Sequence, residues 1–301
     1  MSGFPATATY ASLADEIILY LQGFASSPDQ MTVLTADAAA DAVTFQVEDI
    51  DSVSKGVAEI GEELIYVNSV DENAGTFSTH TAWRGFQGTL AEAHPAGSTV
   101  RFAPSYPRSV VKREMNNILL SLYPDIFAVK ALEVAASTTS RHYALPAEAV
   151  HVVDVRYKRA DFLGWRRLET WDVAHSAPSE FTSGVTLDLA GIVDPGVTLQ
   201  VLYAVPPAPL ANDTDAFATV TGLPESAKEI VVYGVVYRLA RAMDLARIPT
   251  QTTEADELSQ AKPLGSAVQL ASAFGKQYQD AITRERASLK AKYPARLHRV
   301  R

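Results

Sequence analysis

Apolar residues recur at helical spacing in two long stretches of the last third of the chain, 224–248 and 263–293. In the second, Leu264, Val268, Ala271, Phe274, Tyr278, Ile282 and Leu289 follow one another at steps of three, four or seven. Val232, Val236, Leu239, Met243 and Ala246 do the same in the first. Such a stripe is the face a helix buries. Two earlier stretches carry it as well. Leu13, Ile17, Tyr20, Leu21 and Phe24 mark a helix over 11–24, with Ser12 as its cap and Asp15 three residues on. Val111, Met115, Ile118, Leu119 and Leu122 mark another over 109–122, stopped by Pro124.

Between these helices the period changes to two. Residues 42–47, 64–70 and 76–80 alternate apolar with polar, the pattern of half-buried strands, Asp71-Glu72-Asn73-Ala74-Gly75 supplies a turn, and a last strand follows over 98–102. A second block, 131–138, 151–158, 184–189 and 197–205, is rich in Val, Leu, Tyr and Thr. Pro206-Pro207-Ala208-Pro209 then reads as a stiff linker.

The expectation is an α+β protein: a helical bundle frame of about four helices carrying two inserted antiparallel β domains. Its parts are 1–30 with 104–126 (first part of the frame), 31–103 (small β module), 127–210 (sandwich or partial barrel) and 211–301 (C-terminal helical pair with a basic tail).

Composition narrows the classes. A chain of 301 residues, 47% hydrophobic and 20% charged, can bury proper cores. Having no cysteine, it has neither disulfides nor thiolate chemistry. No Lys or Arg precedes Lys55, so a basic signal-peptide start is missing, and no uncharged apolar run approaches membrane-spanning length. A soluble protein made in the cytoplasm is expected. The net charge of −9 hides a polarity. Residues 1–54 hold eight acids and no base, whereas 276–301 hold eight bases against Asp280 and Glu285. Opposed termini suit contact between unlike surfaces of neighbouring subunits, or a basic tail reaching an acidic partner or nucleic acid.

Catalytic patterns are missing from the sequence. The six histidines (80, 94, 142, 151, 175 and 298) never pair at helical metal-ligand spacing, and no phosphate loop or nucleophile elbow occurs. Glu48-Asp49-Ile50-Asp51 and Asp71-Glu72 lack calcium-loop spacing and read as solvated turns. His94, next to Pro95, reads as a turn residue; Trp83 reads as a core or edge aromatic; Arg166-Arg167, beside Trp165 and Trp171, read as packing or interface residues. No enzyme, cofactor or metal is expected.

Gly61-Glu62-Glu63-Leu64-Ile65-Tyr66-Val67, then Trp83, Arg84-Gly85-x-x-Gly88-Thr89, then His94-x-x-Gly97-x-x-Val100, resemble a small β module of tailed-phage virion proteins. That makes Trp83, Arg84, Gly85, Gly88, Thr89, His94 and Gly97 the module's structural motif. The downstream order of a helix, a β block and a helical pair with a basic end resembles a phage head-to-tail adaptor. The resemblance implies a non-enzymatic virion protein of the neck that forms a ring, often of twelve subunits. Portal protein would bind on one side and a tail or stopper protein on the other, with passing contact to genomic DNA. Lys290, Lys292, Arg296, Arg299 and Arg301 are the candidate portal- or channel-contact residues. Two other readings stay open: a carbohydrate- or receptor-binding tail or baseplate module with Trp83 or Trp165 as stacking platform, and a stopper or tail-terminator ring.

Overall fold

The computed structural model describes residues 7–23, 29–137, 139–159, 164–174, 183–191, 196–247 and 266–294. These residues divide between two compact units. One comprises Ala11–Asn117 and Val232–Lys276, the other Met1–Tyr10, Ile118–Val231 and Gln277–Arg301.

In the first unit, helix α1 (Tyr10–Gln22) buries Leu13, Ala14, Ile17, Ile18 and Leu21. Ser12 lies inside α1 and is not its cap. Strand β1 (Gln30–Val33) pairs with β7 (Thr99–Phe102), which pairs with β3 (Gly56–Ile60) and through it with β4 (Glu63–Val67). A smaller sheet joins β2 (Thr44–Gln46), β6 (Thr76–Ser78) and β5 (Ser69–Asp71). The two sheets share one core, in which Phe45 stacks on Phe77 at 4.9 Å and Phe77 meets Phe102 edge-on at 5.6 Å. Asp71 caps the β5–β6 turn by accepting the amides of Asn73 and Ala74, both at 3.1 Å. Helix α2 (Arg108–Ser121) buries Val111, Met115, Ile118 and Leu119 completely, as its stripe predicts.

The second β block makes two more sheets. β11 (Arg166–Arg167), β10 (His151–Arg159), β14 (Val197–Val205) and β8 (Ala128–Ala135) form one, and β12 (Trp171–Ala174), β13 (Thr186–Leu189) and β9 (His142–Ala144) the other. Val155, Leu187, Leu199 and Val201 sit in the core between them, almost fully buried. The short helix α3 (Phe217–Thr221) ends at Gly222, whose φ of +71° closes the helix in the left-handed region.

Helix α4 (Lys228–Arg247) is buried at Ile230, Val231, Val232, Val235 and Val236, more of its circumference than a single stripe requires. In α5 (Ser266–Lys292) Ala271 and Ala281 are buried, while Phe274, Tyr278, Ile282 and Leu289 are half-buried. The α4–α5 contact is close: a Cβ at Gly275 would come within 2.8 Å of the Tyr237 ring. Leu264 lies outside the described residues.

The expected helical frame is corrected by these observations. Among the described residues, fourteen strands in four antiparallel sheets stand beside five α-helices and three 3-10 turns, and no four-helix bundle carries them. The class remains α+β. Two physical facts account for the difference. A helical stripe reports that a face is buried and not what buries it, so it does not separate helix-on-helix from helix-on-sheet packing. And β1 and β3 went unforeseen, as did the short β9, β11 and β12, because strands of two to five residues scarcely display an alternation.

Candidate functional site

The polar centre of the β module is Glu63, whose side chain is fully buried. Residues alternate across β4, so Glu63 shares its face with Ile65 and Val67 and points into the core, while Glu62 pairs with Lys112. A buried carboxylate demands donors, and Glu63 has five. Arg84 Nε and Nη2 donate to its two oxygens at 2.6 and 2.8 Å, and His94 Nε2 donates at 2.8 Å. The amides of Gly85 and Glu92 donate at 3.0 and 3.2 Å. Burial, the largest single influence, raises the Glu63 carboxyl. The bonds from Arg84, His94, Gly85 and Glu92 together outweigh it and hold the pKa at about 2.

Arg84 spends its other donors on the carbonyls of Ala39, Ala42 and Glu92, and its guanidinium lies 5.2 Å from the Phe45 ring centre. Thr89 accepts the Leu64 amide through its hydroxyl and donates to the Phe86 carbonyl, both at 3.0 Å. His94 exchanges amide and carbonyl bonds with Ala38, and the Gly97 amide donates to Leu34 at 2.7 Å. Of the motif residues, Arg84, Gly85 and His94 meet at Glu63, Thr89 bonds Glu63's neighbour Leu64 and Gly97 bonds Leu34, while Gly88 bonds within its own turn. Trp83 stays at the surface. An ion pair so enclosed orders a loop.

Gly85 and Gly88 differ in a way that can be measured. Both have positive φ, +59° and +85°, but a Cβ at Gly85 would stand 2.5 Å from the Thr89 carbonyl oxygen, whereas at Gly88 it meets nothing within 4 Å. Gly88→Ala is therefore expected to cost about 1 kcal/mol, for the left-handed backbone alone. Gly85→Ala should cost clearly more. Equal unfolding midpoints for the two variants would contradict this placement.

In the other unit an open cleft of about 1100 Å³ lies between the β10–β12 region and the end of α5. Phe127, Leu168 and Trp171 supply apolar wall; Asp125, Asp154 and Glu169 face Arg167, Arg286 and Lys290. Much of this charge is already satisfied. Asp154 accepts from Arg167 at 2.6 and 2.8 Å and from Arg156 at 2.9 Å, and Asp125 pairs with Arg286. Burial raises the Asp154 carboxyl, but its arginine bonds outweigh that and hold it below the usual range. Burial also lowers the His151 imidazole, whose ring meets Phe127 edge-on at 5.0 Å.

Of the basic candidates, Lys290 lines the cleft and Lys292 sits 5.5 Å from the Tyr293 ring centre; Arg296, Arg299 and Arg301 fall outside the described residues. Asp49 is engaged in its own turn, accepting from Asp51 N and Ser52 Oγ. Among the described residues no cluster of three or more His, Asp or Glu could hold a metal ion, and no helix is long and apolar enough to cross a membrane.

The family described as SU10 adaptor protein matches the chain over residues 108–299. The match opens on the first residue of α2, runs through the second β block and the C-terminal helices, and leaves β1–β7 aside. No curated protein matches the chain.

Proposed function

Because this chain belongs to the SU10 adaptor protein family, we propose that it is a structural protein of a tailed-phage virion, a head-to-tail adaptor that works by assembly and not by catalysis. Copies close into a ring of about twelve subunits in the neck, the number being that of the resembling adaptors. Portal protein binds one side of the ring, a tail or stopper protein the other, and the lumen forms part of the DNA path. The observation that carries the reading is the family match, which spans nearly two thirds of the chain.

Charge supports it. The acid-rich, base-free first 54 residues and the basic last 26 carry charge of opposite sign. Some of it is paired within the chain, Asp15 with Arg108, Arg284 with Glu229 and Arg286 with Asp125, and the remainder suits neighbouring copies or an acidic partner. Lys290 and Lys292 stand in the last turn of α5, where the helix dipole favours cations, and lead into Arg296, Arg299 and Arg301. This basic end is assigned to the portal or the channel wall.

Native mass spectrometry and negative-stain microscopy of the protein, alone and with portal, test the assignment. Rings are expected, either spontaneously or on the portal. Deleting 295–301 should weaken portal attachment by at least about tenfold and leave thermal unfolding unchanged, with the intact protein's attachment weakening as salt rises. A truncated protein that attaches at full strength would remove the tail from this role; a chain that stays monomeric beside portal would remove the ring.

A further inference from the structure

Beside the Glu63 hub, aromatic side chains gather at the surface of the β module. Tyr66 meets Trp83 edge-on with ring centres 5.2 Å apart and lies 5.6 Å from Phe86; His80 lies 5.7 Å from Trp83. Tyr66 and Trp83 each keep 37% of their surface open to solvent. We propose that this cluster is a saccharide-binding platform, with Trp83 and Tyr66 stacking on a pyranose ring and His80 and Gln87 holding its hydroxyls. The site lies outside the family match and goes beyond the adaptor role.

Three observations carry it. The first is chemical. A pyranose presents a weakly hydrated C–H face and a rim of hydroxyls, and it needs an exposed aromatic face with directed polar groups beside it. His80 Nδ1 accepts the Ala82 amide at 3.2 Å, so the neutral ring carries its proton on Nε2, a donor with no partner among the described residues. Gln87 adds an exposed amide.

The second is rigidity. Trp83 directly precedes the buried Arg84, whose bonds to Glu63, Ala39, Ala42 and Glu92 fix the loop; Thr89 and Gly85 fix its far side. Gln87 itself holds φ +56°, a region that non-glycine residues seldom occupy and that marks an over-determined, often functional backbone. A platform built this way loses little freedom when a ligand lands.

The third is size. Two rings, each 37% exposed, offer a contact of small-ligand size, far short of the roughly 800 Å² per partner that a stable protein interface uses.

Isothermal titration of the full chain with maltotriose, triacetylchitotriose and lactose tests the proposal. At least one is expected to bind with a Kd on the order of 1 mM, the range of a single shallow platform. Trp83→Ala should weaken that binding by about tenfold or more. Gln87→Ala, at an exposed position outside the core, should weaken it while leaving thermal unfolding unchanged. His80→Ala should weaken it too, with a small stability cost because the Ala82 amide loses its acceptor. Trp171→Ala, in the other unit, should not alter it. Absence of heat with all three sugars, or an affinity untouched by Trp83→Ala and His80→Ala, overturns the proposal. So does a Trp83→Ala protein that loses only its attachment to another virion protein, which would give the patch to a protein partner.

Discussion

Arg84→Ala is expected to destabilise the β module by about 3–5 kcal/mol, the range for removing one partner of a buried ion pair. Glu63 would lose both guanidinium bonds, one of them its shortest, the Ala42 carbonyl would lose the Arg84 donor, and the Ala39 carbonyl would keep only the Ala42 amide. The carboxylate would remain fully buried with only His94 and two backbone amides, which cannot neutralise it as well. Denaturant unfolding followed by tryptophan fluorescence, in a background where Trp165 and Trp171 are replaced by Phe so that Trp83 alone reports, checks this. Replacing both partners, Glu63→Leu with Arg84→Met, should be milder than Arg84→Ala, because no charge is left stranded. It should still not reach the parent's stability, since the amides of Gly85 and Glu92 would have no acceptor. An Arg84→Ala protein within about 0.5 kcal/mol of the parent, the range of ordinary surface changes, would mean the hub contributes no stability.

The second large effect is acid sensitivity. The Glu63 pKa is lowered in the fold from 4.5 to about 2. A lowered carboxyl favours the folded state fully above its unfolded pKa, and that contribution is lost as pH falls from about 4.5 towards 2. The whole contribution is about 3 kcal/mol at 1.36 kcal/mol per pH unit. Glu59 acts in the opposite sense. Burial raises its carboxyl despite its bonds to Arg101 and the Arg108 amide, so its ionisation opposes folding, and falling pH relieves that cost. The acid limb of the whole protein is therefore expected to sum opposed contributions: Glu59 flattens it, while Asp154 and the other carboxyls held low, Asp49, Glu148 and Asp215, steepen it with Glu63. The difference between the parent and Glu63→Gln isolates the effect: a gap in unfolding free energy that is widest above pH 4.5 and narrows steadily below it. Acid limbs that run parallel would show that Glu63 is not held as described.

Several of these features could be read from residue order. The α2 stripe over Val111, Met115, Ile118 and Leu119 is buried as predicted, since a face repeating every three or four residues has nowhere else to go. The Asp71–Gly75 turn also stands where its residue types place it, because Asp accepts amides two and three residues on. Glu63 itself was legible in part. It precedes Leu64 and Ile65, and strand parity puts it on the face of Ile65 and Val67. That parity announces a buried carboxylate but not its partners, because Arg84 and His94 lie 21 and 31 residues away.

What residue order determined by itself was local: which segments carry a buried face, where chain reversals fall, how charge is polarised between the ends, and a family flavour that the SU10 adaptor match over 108–299 supports. Tertiary structure alone decided what those faces pack against, replacing the imagined bundle with four sheets, and which distant donors converge on Glu63. The physical reason is the range of the forces involved. Periodicity and turn chemistry act over a few residues, whereas burial is non-directional and a buried charge takes whatever donors the closed fold brings to it.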